Sequence, residues 1–368
     1  MANTNKIVLS GYYGFDNIGD EAVLYSIIAM LKKEIPQVQI TVLSNNPEKT
    51  ARLYQVESIN RWDMKNVAKI IKACDLLISG GGSLLQDVTS SKTIPYYLAI
   101  VKMAQFYKKK VVFYSQGIGP VNKGFSRWLI KKVVNKVDGI FVRDPASKAL
   151  LEEIGVKKPI GVAIDPVLGI SLPNDIKTTE KTIGIYIRPW QNEDQNQKLI
   201  SAMKEGLIEF IKKGYKLCLI PMHYEQDLDI AKAVEASLAI EMRNEGIVGE
   251  DQIKVIDKML SIEEVLTYTA GFEFIIGMRL HSLIMAAATK VPMLGLSYDP
   301  KVDAFLKEAR VPYCLDVSEV TEESFKTSLL DLEKNLTEQK KQLKISYEAN
   351  LSRLYLPIEC IKKLLKIN

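Results

Sequence analysis

Residues 7–21 read IVLSGYYGFDNIGDE and hold, in order, an apolar run, a glycine-rich turn and an acidic helix start. The apolar run, residues 7–10, has the length of one buried strand, and the periodicity that follows predicts a helix over residues 21–33. A strand that passes through a glycine-rich turn into a helix opens a βαβ unit. This stretch therefore predicts an α/β chain with parallel strands.

The same alternation continues along the chain and predicts two series of parallel strands. The first series is predicted at residues 40–43, 76–79, 111–115, 139–142 and 160–164, and the second at 182–187, 216–221, 253–256, 272–276, 293–296 and 311–315. Periodicity lapses between residues 166 and 181, where proline, asparagine and aspartate form turns. We therefore predict two doubly wound Rossmann-type domains, residues 1–170 and 180–345, facing each other across a cleft where ligands bind.

The C-terminal residues have helical periodicity, over 324–343 and again over 350–366. We predict that residues 346–368 form a helix that packs back on the body. The alternative is that its face of Lys362, Lys363 and Lys366 leans on anionic lipid headgroups.

Composition excludes several classes of protein. The chain is 368 residues long, 47% hydrophobic and 25% charged, with a net charge of +5 that suits anionic small molecules and is too small to predict nucleic-acid binding. Four scattered cysteines and two histidines are too few for a zinc site, so we expect no metal and reduced thiols, as in a cytosol. The longest apolar stretch, residues 272–296, contains three basic residues, so we expect no membrane span.

Loops that follow parallel strands gather at one edge of a sheet, where chemistry usually takes place. Gly81, Gly82 and Ser83 follow a predicted strand and leave several backbone amides free to approach a ligand, although a tight turn gives the same pattern. Asn17 lies on the first glycine-rich turn and could bind sugar hydroxyls. Asp20 either caps the following helix or contacts the ligand. We interpret these loops as the acceptor-binding wall.

Cations follow several predicted strands. Only nine of the 49 basic residues are arginine, yet Arg143, Arg188 and Arg279 each lie just beyond a strand, and Lys301 follows another. The planar guanidinium binds carboxylate and phosphate in a bidentate manner. Ion pairing with acidic residues of the protein is the competing interpretation. His281, on a strand-to-helix turn beside Arg279, is the candidate general acid or base.

Six motifs together resemble those of the polysaccharide pyruvyl transferase family, in particular its members that act on bacterial cell-wall polymers. They are GYYGFDNIGDE at 11–21, GGGSLLQD at 80–87, QGIGP at 116–120, RDPAS at 143–147, MRLHSLI at 278–284 and YDPK at 298–301. The resemblance implies a GT-B-like fold, with the acceptor side in the first domain and the donor side in the second. It also implies transfer of a pyruvyl group from phosphoenolpyruvate to a sugar diol, which forms a cyclic ketal.

The resemblance also assigns roles to residues of this chain. Arg143 and His281 match catalytic positions, and Arg143, Arg279, Leu280 and Lys301 match donor-binding positions. The implied acceptor is a lipid-linked disaccharide that contains N-acetylmannosamine, modified on O4 and O6 and used to anchor S-layer proteins. No cofactor is implied, because phosphoenolpyruvate is a co-substrate. The implied location is the cytoplasm, at the inner face of the membrane.

Two alternatives from other classes stay open at this point. One is a nucleotide-sugar-dependent glycosyltransferase of the same GT-B plan, although no carboxylate that would bind a ribose occurs around residues 277–282. The other is an anion sensor without catalysis. Partners beyond the two substrates, namely a membrane surface touched at the periphery and a second copy of the chain, also stay open.

Overall fold

Seven parallel strands form the first sheet. The structure, a computed structural model, describes residues 4–88, 90–171, 181–249 and 251–367. The strands are β1 (Lys6–Ser10), β2 (Gln39–Ser44), β3 (Glu57–Asn60), β4 (Leu76–Gly80), β5 (Lys110–Gln116), β6 (Gly139–Val142) and β7 (Gly161–Val162). Their spatial order is β3-β2-β1-β4-β5-β6-β7. This is the order of a Rossmann sheet, with the reversal between β1 and β4.

Helices connect these strands. They are α1 (Ile18–Glu34), α2 (Pro47–Tyr54), α3 (Met64–Ala73), α4 (Thr93–Phe106), α5 (Gly124–Val134) and α6 (Pro145–Ile154), followed by a 3₁₀ helix, Pro166–Gly169. Strand β4 is buried along its whole length, as expected for a central parallel strand with both faces covered. Side chains of β4, β5, α4 and α5 share one apolar core.

The second sheet repeats this plan with six strands. They are β8 (Thr182–Tyr186), β9 (Lys216–Leu219), β10 (Ile253–Val255), β11 (Phe274–Gly277), β12 (Met293–Ser297) and β13 (Cys314–Asp316). The order is β10-β9-β8-β11-β12-β13, and all pairs are parallel. Its helices are α7 (Glu193–Lys212), α8 (Tyr224–Asn244), α9 (Ile262–Gly271), α10 (Leu280–Thr289), α11 (Pro300–Glu308), α12 (Glu322–Lys334) and α13 (Leu336–Asn350). The two sheets confirm the predicted fold class.

The C-terminal region differs from the predicted pair of helices. The single helix expected over residues 324–343 is two helices, because Asn335 ends α12 with its side-chain amide on the carbonyl of Asp331. A 3₁₀ helix, Leu351–Tyr355, precedes the last helix, α14 (Leu356–Leu365). Two strands also begin two or three residues later than predicted. Phe272 ends α9, so β11 starts at Phe274, and β13 starts at Cys314.

The chain divides into two units. The first consists of residues up to Asp16, Asp20–Gly169 and the segment from Asn350, and the second of Asn17–Gly19 and Ile170–Ala349. The boundary expected near residues 166–181 includes positions 172–180, which lie outside the described residues. Asn350 and the residues that follow it belong to the first unit, because Arg353 donates hydrogen bonds to the carbonyls of Val162 and Ala163. Among the described residues, none of the helices has the length and apolarity needed to cross a bilayer.

Candidate active site

The first glycine-rich loop is held in place by a partly buried carboxylate. Glu21 accepts a hydrogen bond from the amide of Gly14 at 2.7 Å and one from the hydroxyl of Tyr54 at 2.6 Å. Burial raises the pKa of Glu21, and the two hydrogen bonds act in the opposite direction. The acidic pair that begins α1 therefore has a structural member that fixes the shape of the loop.

Asp20 does not cap α1, which was one of its two predicted roles. The helix begins at Ile18, so Asp20 lies inside its first turn, and the side chain of Asn17 accepts the amide hydrogen of Gly19 at 3.0 Å. Asn17 thus satisfies one of the orphan amides of the helix. Its side-chain NH₂ group is the part that a sugar hydroxyl could use, so the acceptor-binding role of Asn17 stays a prediction.

The predicted acceptor-binding residues of the first unit lie together at the carboxyl edge of the sheet. Gly81 and Gly82 have φ angles of +67° and +62°, which favour glycine. A Cβ on Gly81 would overlap Val23 of α1, and one on Gly82 would lie 2.7 Å from the carboxylate of Asp20. Glycine at both positions lets the loop after β4 lie directly against the start of α1, with Asp20 beside it.

The loops after β4 and β5 are bonded to each other through their backbones. The amide of Gly117 donates to the carbonyl of Gly82 at 2.9 Å, and that of Gly119 to Leu85 at 2.8 Å. The Asp87 carboxylate accepts the amides of Asn122 and Lys123, each at 2.9 Å. Burial alone would raise the pKa of Asp87, but these hydrogen bonds outweigh it and lower the pKa.

Arg143 is the first residue after β6 and is nine-tenths buried. Its guanidinium donates to the hydroxyl of Ser83 at 3.3 Å and to the carboxylate of Asp165 at 3.5 Å. A Cβ on Gly117 would lie 2.5 Å from Nη2 of Arg143, so the guanidinium lies flat against a backbone that only glycine leaves open. The structure therefore brings Arg143 and Ser83 together and gives the cation a fixed orientation.

In the second unit, the candidate acid or base His281 is the second residue of α10. A Cβ on Gly19 would overlap Nδ1 of His281, so the imidazole lies against the backbone of Gly19, which belongs to the same unit. Two further contacts hold this segment: the amide of Ile18 donates to the carbonyl of Met222 at 3.0 Å, and Asn17 pairs with His223. Of the predicted acceptor residues, Asn17 lies in this unit, two residues before the glycine that His281 contacts. Leu280, in the first turn of α10, is buried.

Arg279 forms a buried ion pair. Its guanidinium binds both oxygens of Asp227 at 3.1 and 2.5 Å. Asp227 is fully buried and also accepts the amide hydrogens of Met222 and His223. The bidentate pair supports the competing interpretation for Arg279, ion pairing within the protein. The donor-binding role of Arg279 stays a prediction.

Lys301 and Arg188 lie around one aromatic ring. Nζ of Lys301 is 5.9 Å and the guanidinium carbon of Arg188 is 4.9 Å from the ring centre of Tyr298. The ammonium of Lys301 also pairs with Asp299 at 3.0 Å, and Trp190 packs edge-on against the same tyrosine. The cations that follow β8 and β12 thus lie against the same ring, that of Tyr298.

Sequence reasoning missed the acidic partners in both units. Asp165 and Asp227 orient the two predicted arginines, yet each lies at least 20 residues from its partner in the chain. A weak signal exists for Asp227, because it lies four residues after His223, in the first turns of a helix that follows a predicted strand. Asp165 gives a similarly weak signal, because it lies shortly after the strand β7.

Solved structures with the same fold cover nearly all of the chain. A putative UDP-N-acetylglucosamine 2-epimerase from Listeria monocytogenes aligns with a TM-score of 0.67 and 14% identity, over 97% of each chain. The UDP-GlcNAc 2-epimerase of Neisseria meningitidis aligns with a TM-score of 0.63 and 14% identity, over 98% of this chain and 100% of that one. A glycosyltransferase from Rickettsia africae aligns with a TM-score of 0.61 and 12% identity, over the whole of both chains. The fold is GT-B-like.

Two sequence comparisons bear on the family. The amylovoran biosynthesis protein AmsJ of Erwinia amylovora is 23% identical over 367 residues, covering 83% of this chain and 86% of that protein. The family model of polysaccharide pyruvyl transferase matches residues 17–300, which include Arg143, Arg279 and His281. This chain belongs to the polysaccharide pyruvyl transferase family.

Proposed function

We propose that this pyruvyltransferase takes its pyruvyl group from phosphoenolpyruvate and places it as a 4,6-O-ketal on N-acetylmannosamine. The family acts on a polysaccharide or sugar acceptor. The proposed acceptor is a lipid-linked precursor of a secondary cell-wall polysaccharide that anchors an S-layer. The contact of His281 with the backbone of Gly19 is the observation that supports the proposal, because an imidazole held there could exchange protons with a sugar bound at that turn.

The donor carries a carboxylate and a phosphate close together. Such a ligand is stabilised by fixed cations in a partly dehydrated site. Arg143 is nine-tenths buried and oriented by Ser83 and Asp165, and it is the best candidate for that task in the first unit. We also assign donor binding to Arg279 and Lys301, with Lys301 on the phosphate.

The reaction balances without a further reactant. C3 of phosphoenolpyruvate takes up a proton and becomes a methyl group, which makes C2 electrophilic. One sugar hydroxyl adds to C2, the bond from C2 to the phosphate oxygen breaks, and the second hydroxyl closes the ketal ring. Of the two hydroxyl protons released, one replaces the proton given to C3 and the other leaves with inorganic phosphate. His281 transfers protons in these steps.

Replacing His281 by alanine tests the assignment. Turnover should fall by about 100-fold or more, because general acid–base groups contribute 10²–10⁴-fold. Release of inorganic phosphate from phosphoenolpyruvate, measured with a panel of acceptor glycosides, is the assay. His223→Ala is the matched control, since it removes the second of the two histidines. Near-normal turnover of the His281→Ala protein would remove the assignment.

The same acceptor panel tests the reaction itself. Phosphate release should require an N-acetylmannosaminyl glycoside, and the NMR spectrum of the product should show a new methyl group from a ketal that joins O4 and O6. Release with galactosides or glucosides instead would change the acceptor and keep the reaction. Transfer from a nucleotide sugar with no use of phosphoenolpyruvate would replace pyruvyl transfer by glycosyl transfer.

We place the reaction in the cytoplasm, at the inner face of the membrane, where phosphoenolpyruvate and a lipid-linked precursor would meet. The C-terminal helix is one candidate for membrane contact. In the structure Pro357, Ile358 and Ile361 of α14 are buried and Lys362 bonds Glu34 at 2.5 Å. Lys363 and Lys366 are exposed, so these two lysines are the ones left to face lipid.

A further inference from the structure

Arg61 is a buried cation inside a cage of aromatic rings. It is the first residue after β3 and is 3% exposed. Its guanidinium carbon lies between 4.5 and 5.3 Å from the centres of four rings, and these rings belong to Phe15, Trp62, Tyr96 and Tyr97. Cation–π contacts of this kind hold the rings and the guanidinium in one arrangement.

The hydrogen bonds of Arg61 tie the cage to the first glycine-rich loop. Nη1 donates to the carbonyl of Gly11 at 2.9 Å and Nη2 to the hydroxyl of Tyr97 at 3.2 Å. Within the described part of the chain, its guanidinium has no carboxylate at ion-pair distance, and its buried Nε has no hydrogen-bond partner. Burying a cation without a carboxylate is costly, so a structural ion pair does not explain this residue.

The outer rings of the cage reach solvent. Trp62 is 57% exposed and its indole N–H is fixed on Asn45 at 3.0 Å. Tyr12, 39% exposed, stacks on Phe15 with ring centres 4.1 Å apart and an angle of 7° between the planes. We call the four rings of Tyr12, Phe15, Trp62 and Tyr96 the aromatic platform. Large exposed aromatic surfaces held rigid in this way mark binding sites.

The chemistry of the aromatic platform fits a sugar ring. One face of a pyranose presents C–H groups that pack on aromatic rings, while its hydroxyls need polar neighbours. The platform has such neighbours in the side chains of Asn45 and Asp63, both exposed. Among the described residues that the platform adjoins, Asp63 balances the charge of Arg61 and Lys49 pairs with Asp16. Cations are therefore not in excess there, which disfavours an anionic lipid surface.

The position of the aromatic platform also fits the acceptor. Tyr12 and Phe15 follow β1, and Trp62 follows β3, so the platform lies at the same carboxyl edge of the sheet as Gly82 and Ser83. We propose that the aromatic platform is a saccharide subsite that binds a sugar ring of the acceptor. The inference rests on the proposed function and adds the surface on which the acceptor lies.

Fluorine NMR can test the subsite directly. The chain has three tryptophans, so 5-fluorotryptophan labelling gives three resonances, assigned with Trp62→Phe and Trp128→Phe. The probes are the methyl glycosides of N-acetylmannosamine, N-acetylglucosamine, glucose and galactose. At least one probe should shift the Trp62 resonance. Trp128, 52% exposed in α5 of the same unit, is the matched control and should not shift.

Kinetics provides the second measurement. Trp62→Ala and Tyr12→Ala should each raise the KM for the acceptor about 10-fold, which corresponds to about 1.4 kcal/mol. The KM for phosphoenolpyruvate should stay within about twofold, and Trp128→Ala should change neither constant. Thermal unfolding of each variant establishes that it is folded, and these exposed rings should be dispensable for folding.

The outcomes separate the subsite from the reaction. If no probe shifts Trp62, the subsite is overturned, whether or not the enzyme turns over. An unchanged acceptor KM in both variants also overturns it. If wild-type protein releases no phosphate with any acceptor while sugars still shift Trp62, the proposed function fails and the subsite stands.

Discussion

Gly19 has no side chain, and the imidazole of His281 occupies the space that one would need. Gly19→Ala should push the ring away from its position and lower kcat about 10-fold or more, because a misplacement of about 1 Å can cost 10²-fold. Steady-state phosphate release measures this effect. Alanine favours a helix by about 1 kcal/mol over glycine, so the loss should not be one of helix stability.

Gly124 provides the matched control for this substitution. Like Gly19 it lies in the first turn of a helix, and a Cβ there would meet no atom of the described residues within 4 Å. Gly124→Ala should keep the wild-type kcat. Equal kcat values for wild type and Gly19→Ala would show that the imidazole does not depend on this backbone contact.

Asp227 is the residue on which the position of Arg279 depends. Asp227→Asn removes the charge opposite a guanidinium whose side chain is 13% exposed, and breaking one partner of a buried pair costs about 3–5 kcal/mol. Urea unfolding at neutral pH should record that loss. Asp229→Asn, an exposed change two residues later on α8, should cost about 0.5 kcal/mol or less. A loss equally small for Asp227→Asn would mean that water replaces the ion pair.

At the scale of elements, the loop after β4 is fixed to the loop after β5, because the carboxylate of Asp87 accepts backbone hydrogen bonds from that second loop. The pKa of Asp87 is lowered in the folded protein, so its contribution is present above its unfolded pKa of about 3.9 and is lost as the pH falls through the lower folded value. Asp87→Asn should therefore cost about 1–3 kcal/mol at pH 7.

The pH series distinguishes this clamp from simple packing. As the pH falls from about 5 to about 3, the difference between wild type and Asp87→Asn should begin to shrink, because Asp87 of the unfolded wild-type chain takes up a proton before that of the folded protein does. Urea midpoints followed by circular dichroism give the comparison. A deficit of constant size over that range would mean that charge on Asp87 contributes nothing.

Elements with strong periodicity could be predicted, and weakly patterned ones could not. The sequence signals at helix α6 match its observed bounds, because Asp144 caps it, Pro145 begins it and Gly155 ends it. Strand β3, with the sequence ESIN, has one large apolar residue and stands at the edge of the sheet, so alternation gives no signal there. Arg61, which follows that strand, was missed for the same reason.

At the scale of the whole molecule, the topology followed from the alternation of strands and helices, and the chemistry followed only in part. Arg143 and Arg279 were identified by the rule that residues just after parallel strands gather at the carboxyl edge of the sheet, where ligands bind. It could not identify Asp165 and Asp227, because an ion-pair partner depends on which loops the tertiary fold makes adjacent. Family membership identifies the reaction, while the roles of individual residues depend on the experiments above.

The return of the segment from Asn350 to the first unit has a consequence for how the protein is made. Helix α14 packs on β5 and β6, and Arg353 bonds the backbone beyond β7. During synthesis the side of the N-terminal sheet that α14 covers stays exposed until residues 350–367 have emerged from the ribosome. A gene fragment that stops at Gly169 would therefore yield an aggregation-prone half, and fusing residues 350–367 to it should restore a soluble product.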